Sequence, residues 1–129
     1  EYTTVEEAKT FVEGTGVAAL AIAVGTAHGR YKKAPKLAIE RIAEIHKEVD
    51  VALVLHGGSG VPDEEIKASI AAGIRKINFG TDLCYAFLDQ VFATSREKIG
   101  IDTFMKEAVE AVAAFADEKI KLLGADNKA

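Results

Sequence analysis

Apolar and polar residues follow two alternating patterns along this chain. The runs 19–24 and 51–55 are almost continuously apolar, which is typical of strands buried on both faces of a parallel sheet. A third strand is expected over residues 74–79. Between the strands, apolar residues recur at helical spacing, as at Ala38, Ile42, Ile45 and Val49. The pattern predicts a helix, then three strand–helix units, then an extra helix.

Local signals mark where these helices begin and end. Thr4 and Glu7 have the spacing of a capping box, and Gly14 or Gly16 is expected to end the helix that they open. Gly73 is expected to end the helix before the third strand. The final helix is predicted to place one apolar set on a single side: Met105, Ala108, Val109, Val112, Ala116, Ile120 and Leu123.

The number of strands limits the fold. Three parallel strands cannot close a barrel, and a complete eight-stranded barrel takes roughly 250 residues. The chain has 129 residues, so the α/β pattern predicts one partial domain over 1–129, about half of a (β/α)₈ TIM barrel. A small open three-layer α/β domain is the alternative fold.

Composition indicates which classes of partner the chain can bind and in which compartment it is expected. The formal net charge is −4, and no basic stripe indicates nucleic-acid binding. No apolar run approaches the roughly 20 residues of a membrane span. One cysteine in the whole chain is typical of a reducing compartment, so we expect a cytoplasmic protein.

Two histidines follow predicted strands and have glycine neighbours. His28 precedes Gly29, and His56 precedes Gly57. Active sites of α/β barrels lie at the carboxyl ends of the strands, and catalytic zinc takes three protein ligands, often imidazoles. The two side chains are therefore candidate metal ligands, with satisfied loop histidines as the alternative. His46 lies within a predicted helix and is interpreted as solvated.

Glycine-rich turns follow the second and third strands. The segment 57–60 reads Gly-Gly-Ser-Gly, and Gly80-Thr81 opens the next helix. Backbone N–H groups of such turns bind anions, and a helix N-terminus adds favourable charge. We predict a phosphate between the two turns, although either could be a simple turn. Asn78 is the last inward-pointing candidate of the third strand and could bind a substrate hydroxyl or enediolate oxygen, or it could be a buried structural amide.

These residues give the chain a specific resemblance. Three segments, 25–29, 53–62 and 77–83, contain His28, the His56–Pro62 run and Asn78 to Thr81 in order. Together they resemble the class II, zinc-dependent ketose-bisphosphate aldolases, which include fructose- and tagatose-bisphosphate aldolases. The resemblance runs along the whole chain and implies the C-terminal half of the barrel.

The resemblance also implies roles for individual residues. His28 and His56 match zinc ligands, and Asn78 matches a catalytic residue that contacts the ketose. The other matches are substrate- and phosphate-binding positions, some of which also surround a monovalent cation, Na⁺ or K⁺: Gly29, Gly57, Gly58, Ser59, Gly80 and Thr81.

The implied reaction is aldol cleavage or condensation of a ketose phosphate, a lyase step of carbohydrate metabolism such as glycolysis. By analogy, zinc polarises the carbonyl of dihydroxyacetone phosphate, a base removes the adjacent proton, and the resulting enediolate attacks an aldehyde. The family's remaining zinc histidine, the aspartate beside it and the glutamate acid/base belong to the N-terminal half. We therefore expect that half as a partner, inactivity without it, and a homo-oligomer. The alternative is a non-catalytic fragment or phosphate-binding α/β module that completes or regulates a barrel.

Overall fold

A computed structural model describes residues 2–29 and 31–128. Its elements are, in chain order, α1 (Val5–Thr15), β1 (Ala19–Ala21), α2 (Ile39–Glu48), β2 (Ala52–Leu55), α3 (Asp63–Ala72), β3 (Ile74–Ile77), α4 (Thr81–Ala93) and α5 (Ile101–Leu122). The predicted helix, three strand–helix units and extra helix are confirmed. The chain forms two compact units, the first ending at Phe79 and the second beginning at Gly80.

The three strands of the first unit form one parallel sheet in the order β1-β2-β3. Leu20 pairs with Leu53 across β1 and β2, and Leu53 pairs with Ile74 across β2 and β3. The register shifts after Leu53, where Val54 pairs with Lys76. Because neighbouring strands are parallel and joined through helices, the loops after them emerge at one edge of the sheet.

Helix α1 begins with the predicted capping box. The Thr4 backbone N–H and hydroxyl each donate to the Glu7 carboxylate at 2.8 Å, and the Glu7 N–H donates to Thr4 Oγ1 at 3.2 Å. Gly16 ends the helix in a left-handed conformation, with a φ of 66°. These contacts satisfy backbone groups that a helix end otherwise leaves without partners.

The core of the first unit lies between the sheet and helices α2 and α3. Ile42 and Ile45 of α2 are fully buried, as their helical spacing predicts. They share this core with side chains of β2, α3 and β3. Each of these side chains is less than 2% exposed: Leu53, Leu55, Ile66 and Ile74. Burial of these aliphatic side chains supplies the main stabilisation that holds the strand ends in place.

Strand β1 departs from the prediction that both of its faces are buried. Leu20, Ile22 and Val24 are buried, whereas Ala19, Ala21 and Ala23 are exposed. Successive side chains of a strand point to opposite faces, so one face packs on the helices and the other is an exposed alanine face. Three strands curve too little to enclose that second face, which in a closed barrel is the interior.

The second unit consists of α4 and α5, which pack on each other. Ala108 of α5 is fully buried, as predicted. Val109 and Ile120 were expected on the same side but are 59% and 45% exposed. At 3.6 residues per turn they lie about 100° and about 120° around the helix from Ala108, outside the stripe that one neighbouring helix covers.

No helix among residues 2–29 and 31–128 combines the length and the apolar character that a bilayer-spanning segment needs. The longest, α5, carries acidic and lysine side chains along its length.

Candidate functional site

The loops after β1 and β2 bring two histidines together. His28 and His56 are both exposed, and their ring centroids lie 6.1 Å apart with the ring planes at 77°. They follow neighbouring parallel strands, which explains why residues 28 positions apart in sequence meet at one edge of the sheet. The two candidate ligands are therefore neighbours in the folded chain, and metal binding by them stays a prediction from the sequence.

A recess of about 220 Å³ lies beside the two rings. Its lining includes Ala21, Ala23 and Thr26, so it opens on the exposed alanine face of β1. The recess is smaller than the roughly 300–1,000 Å³ of typical ligand pockets, as expected when three strands provide only part of a barrel mouth.

The spacing of the two imidazoles can be compared with that of two histidines on one metal ion. Two imidazoles on one tetrahedral zinc, with Zn–N distances of ~2.0–2.1 Å, have centroids roughly 5 Å apart. The observed separation of His28 and His56, 6.1 Å, is longer than that. Within the described part of the chain, no group of three His, Cys, Asp or Glu side chains could hold a metal. The described residues thus bring together two imidazoles, one fewer than the three protein ligands of a catalytic zinc site.

The third histidine of the chain is placed elsewhere. His46 lies near the end of α2 and is exposed, as its sequence position predicts. Its ring covers Gly73, where a Cβ atom would overlap it. His46 therefore serves as a natural comparison for the two strand-end histidines.

The glycine-rich loop after β2 is tightly folded. Gly57 and Gly60 have φ values of 67° and 73°, which favour glycine. The Gly58 N–H donates to the Asn78 carbonyl at 2.9 Å, and a Cβ at Gly58 would lie 2.7 Å from Ile77 Cγ2. Sequence reasoning expected this N–H to face an anion, but the fold uses it to join the loop to the end of β3. Ser59 in the same loop is buried, with 5% of its surface exposed.

Asn78 is held through both its backbone and its side chain. Its N–H donates to the Leu55 carbonyl at 3.2 Å, and its carbonyl accepts from Gly58. Lys76 Nζ donates to Asn78 Oδ1 at 2.8 Å. Because an ammonium group can only donate, this contact requires the amide oxygen to face Lys76 and turns Nδ2, a donor, the other way. Asn78 itself is exposed, so the alternative of a buried structural amide is wrong.

The remaining predicted phosphate contacts are less constrained. Gly29 has a φ of 98°, and a Cβ there would meet nothing within 4 Å. In the second unit, Gly80 precedes α4 and Thr81 is its first residue, with Asp82 in the first turn. The predicted helix start is confirmed, and phosphate binding by Gly80 and Thr81 stays a prediction from the sequence.

Sequence reasoning missed a role for Tyr31. Its hydroxyl accepts from the Ala27 N–H at 2.7 Å and lies 2.7 Å from the Ala27 carbonyl and 3.0 Å from the Gly57 carbonyl. The available signal was an aromatic residue three positions after His28, in a segment that is otherwise rich in lysine.

Comparison with known proteins identifies the family. The sequence model of the protein family described as class-II fructose-bisphosphate aldolase matches residues 1–128 of this chain. The chain belongs to this family. The fold also matches the crystal structure of YdjI aldolase from Escherichia coli K12, with 42% sequence identity and a TM-score of 0.91 over 100% of this chain and 48% of that one.

Two further solved structures agree with this class II aldolase fold. A Coccidioides immitis protein assigned as a fructose-1,6-biphosphate aldolase is 28% identical, with a TM-score of 0.89 over 98% of this chain and 45% of its own. Fructose-bisphosphate aldolase from Campylobacter jejuni is 22% identical and shares the fold, with a TM-score of 0.82 over 99% and 47% of the two chains. The aldolase chain thus spans about half the length of these relatives, and its three parallel strands with their helices form about half of a TIM barrel by length.

Proposed function

We propose that this chain supplies the C-terminal half of a zinc-dependent aldolase that cleaves or forms a ketose phosphate or bisphosphate, giving dihydroxyacetone phosphate and an aldehyde. The observation that carries the proposal is the pairing of His28 and His56 at adjoining strand ends in a class II aldolase chain. Family membership favours this function over a non-catalytic module.

In this proposal His28 and His56 hold the zinc ion through one nitrogen of each ring. Bound there, zinc would act as a Lewis acid that polarises a substrate carbonyl. The Asn78 amide would donate from Nδ2 to a substrate oxygen that gains negative charge, since Lys76 already occupies the amide oxygen. Asn78 is the proposed catalytic residue of the chain.

The phosphate of the dihydroxyacetone phosphate moiety is proposed to bind at the glycine-rich turns. Gly57 and Gly58 give the β2 loop its close packing, and Ser59 and Gly29 flank the same edge of the sheet. A monovalent cation, Na⁺ or K⁺, would bind among these residues and offset phosphate charge. Gly80 and Thr81 are proposed as further phosphate contacts on the sequence alone.

The proposed function also requires the other half of the barrel, and it implies an oligomeric state and a cellular compartment. The N-terminal half of the barrel would provide the third zinc ligand and the acid/base group, so the chain alone should be inactive. The assembled enzyme is proposed to be a cytoplasmic homo-oligomer of carbohydrate metabolism.

The test uses a completed barrel, meaning this chain joined to the part of YdjI aldolase that it does not cover, which is the other half of that protein. Release of dihydroxyacetone phosphate from a panel of ketose phosphates is followed in the completed barrel and in the chain alone. We expect activity in the completed barrel only, lost with a chelator and restored by zinc. Asn78→Ala should lower kcat by roughly 10²–10³-fold, the usual effect of removing one donor to a developing oxyanion.

His46→Ala serves as the matched control, because it removes an imidazole that lies away from the histidine pair. It should leave activity nearly unchanged, whereas His28→Ala or His56→Ala should abolish it. A folded completed barrel that cleaves a ketose phosphate equally well with His28→Ala would contradict the proposed function.

A further inference from the structure

Tyr31 joins the two loops that carry the histidines. Its hydroxyl accepts a hydrogen bond from the Ala27 N–H at 2.7 Å and shares its single proton between the Ala27 carbonyl at 2.7 Å and the Gly57 carbonyl at 3.0 Å. Ala27 directly precedes His28, and Gly57 directly follows His56. One hydroxyl group therefore fixes the backbone neighbours of both imidazoles.

The surroundings of Tyr31 show that this contact is built into the loops. A Cβ atom at Gly57 would lie 2.5 Å from the Ala27 carbonyl oxygen, so the two loops approach more closely than any side chain there allows. A Cβ at Gly60 would lie 3.2 Å from Cδ2 of the Tyr31 ring. The ring thus packs on the glycine-rich loop while the hydroxyl reaches between the loops, and both parts oppose separation of the histidines.

We infer that Tyr31 is a positioning residue that holds the His28 loop against the His56 loop and so sets the separation of the two imidazoles. Its effect on metal binding rests on the proposed function, since it requires that both histidines bind the zinc ion. Groups that orient metal ligands from behind commonly change metal affinity by roughly 10–100-fold when removed.

The test compares Tyr31→Phe with Tyr2→Phe. The first variant keeps the ring against Gly60 and removes only the bridging hydroxyl, and the second makes the same chemical change at an exposed tyrosine. The first measurement is made by NMR on the metal-free 129-residue chain, through hydrogen exchange of the Ala27 amide and the ring-to-ring NOE between His28 and His56. The second is zinc affinity of the completed barrel, measured by competition with a chelator.

For Tyr31→Phe we expect Ala27 amide exchange to rise roughly fivefold or more, as for loss of one hydrogen bond. The histidine NOE should weaken, and zinc affinity should fall by roughly tenfold while the melting temperature stays close to that of the wild type. Tyr2→Phe should match the wild type in every measurement.

Unchanged exchange and NOE in Tyr31→Phe would overturn the inference, and so would altered exchange with unchanged zinc affinity, because the hydroxyl would then be only structural. If the wild-type completed barrel binds no zinc, the proposed function fails. The loop-positioning role is then judged on exchange and NOE alone, which either support it or overturn it.

Discussion

At the scale of single residues, the candidate site depends on side chains whose backbones are tied to a neighbouring strand or loop. Asn78 is bonded through its N–H to the last residue of β2 and through its carbonyl to the loop after β2, and Tyr31 bonds to both histidine loops. The candidate residue types are visible in the sequence, because histidine and glycine follow apolar runs at the predicted strand ends, where barrel enzymes place their active sites. The contacts that orient them join residues up to 26 positions apart and depend on loop geometry, which no local pattern specifies.

Lys76 gives a prediction at this scale. Its ammonium group fixes the Asn78 amide oxygen, so Lys76→Met should allow the amide to turn and should lower kcat of the completed barrel by roughly tenfold, the low end for a hydrogen bond to a charged group. Lys67→Met is the control, because Lys67 pairs with Glu64 on the exposed side of α3, away from Asn78 in the sequence.

Steady-state kinetics of single and double variants show whether Lys76 acts by orienting the Asn78 amide or only through its own charge. If Lys76 acts through Asn78, the double variant Lys76→Met, Asn78→Ala should be no slower than Asn78→Ala alone. Fully additive losses in kcat would show that Lys76 acts independently of the amide.

At the scale of helices and strands, local signals predict boundaries well and burial less well. The capping box at Thr4 and the stop at Gly16 depend only on neighbouring residues, and both are confirmed. Burial of a side chain depends on which other element packs against its face of the strand or helix. The exposed Ala19, Ala21 and Ala23 belong to β1 and the segment directly after it, whose inner face three strands cannot cover. Exposure of Val109 has the same kind of cause, since α4 covers only one stripe of α5.

Helix α1 should respond to acid through its capping box. The pKa of Glu7 lies below its usual value, first because the Thr4 backbone N–H donates to the carboxylate and then because the Thr4 hydroxyl does. A lowered folded-state pKa means that this carboxylate stabilises the fold above its unfolded-state pKa of about 4.3, and that the contribution is lost as pH falls through the folded-state value.

NMR titration of the Glu7 carboxyl tests this cause. Thr4→Ala removes the hydroxyl and keeps the backbone N–H, so the pKa of Glu7 should rise part of the way towards its usual value. Thr10→Ala, an exposed threonine of the same helix, should leave it unchanged. A Glu7 pKa that is the same in Thr4→Ala and in the wild type would rule out the hydroxyl contribution.

At the scale of the whole molecule, the chain has the sheet order and helix succession of part of an aldolase barrel. The fold class could be predicted from the sequence because strand–helix alternation fixes parallel pairing, and it is confirmed by the match to about half of each related aldolase. The candidate site could be predicted only in part. His28 and His56 come together as expected, but a third metal ligand is not found among the described residues.

A zinc titration by calorimetry tests the central claim most directly, on the 129-residue chain and on the completed barrel. Two imidazoles form an incomplete site, so the chain alone should bind zinc weakly, and the completed barrel should bind about one ion tightly. Tight binding should be lost with His28→Ala or His56→Ala and retained with His46→Ala. Tight stoichiometric binding by the chain alone that persists with His28→Ala would contradict the account.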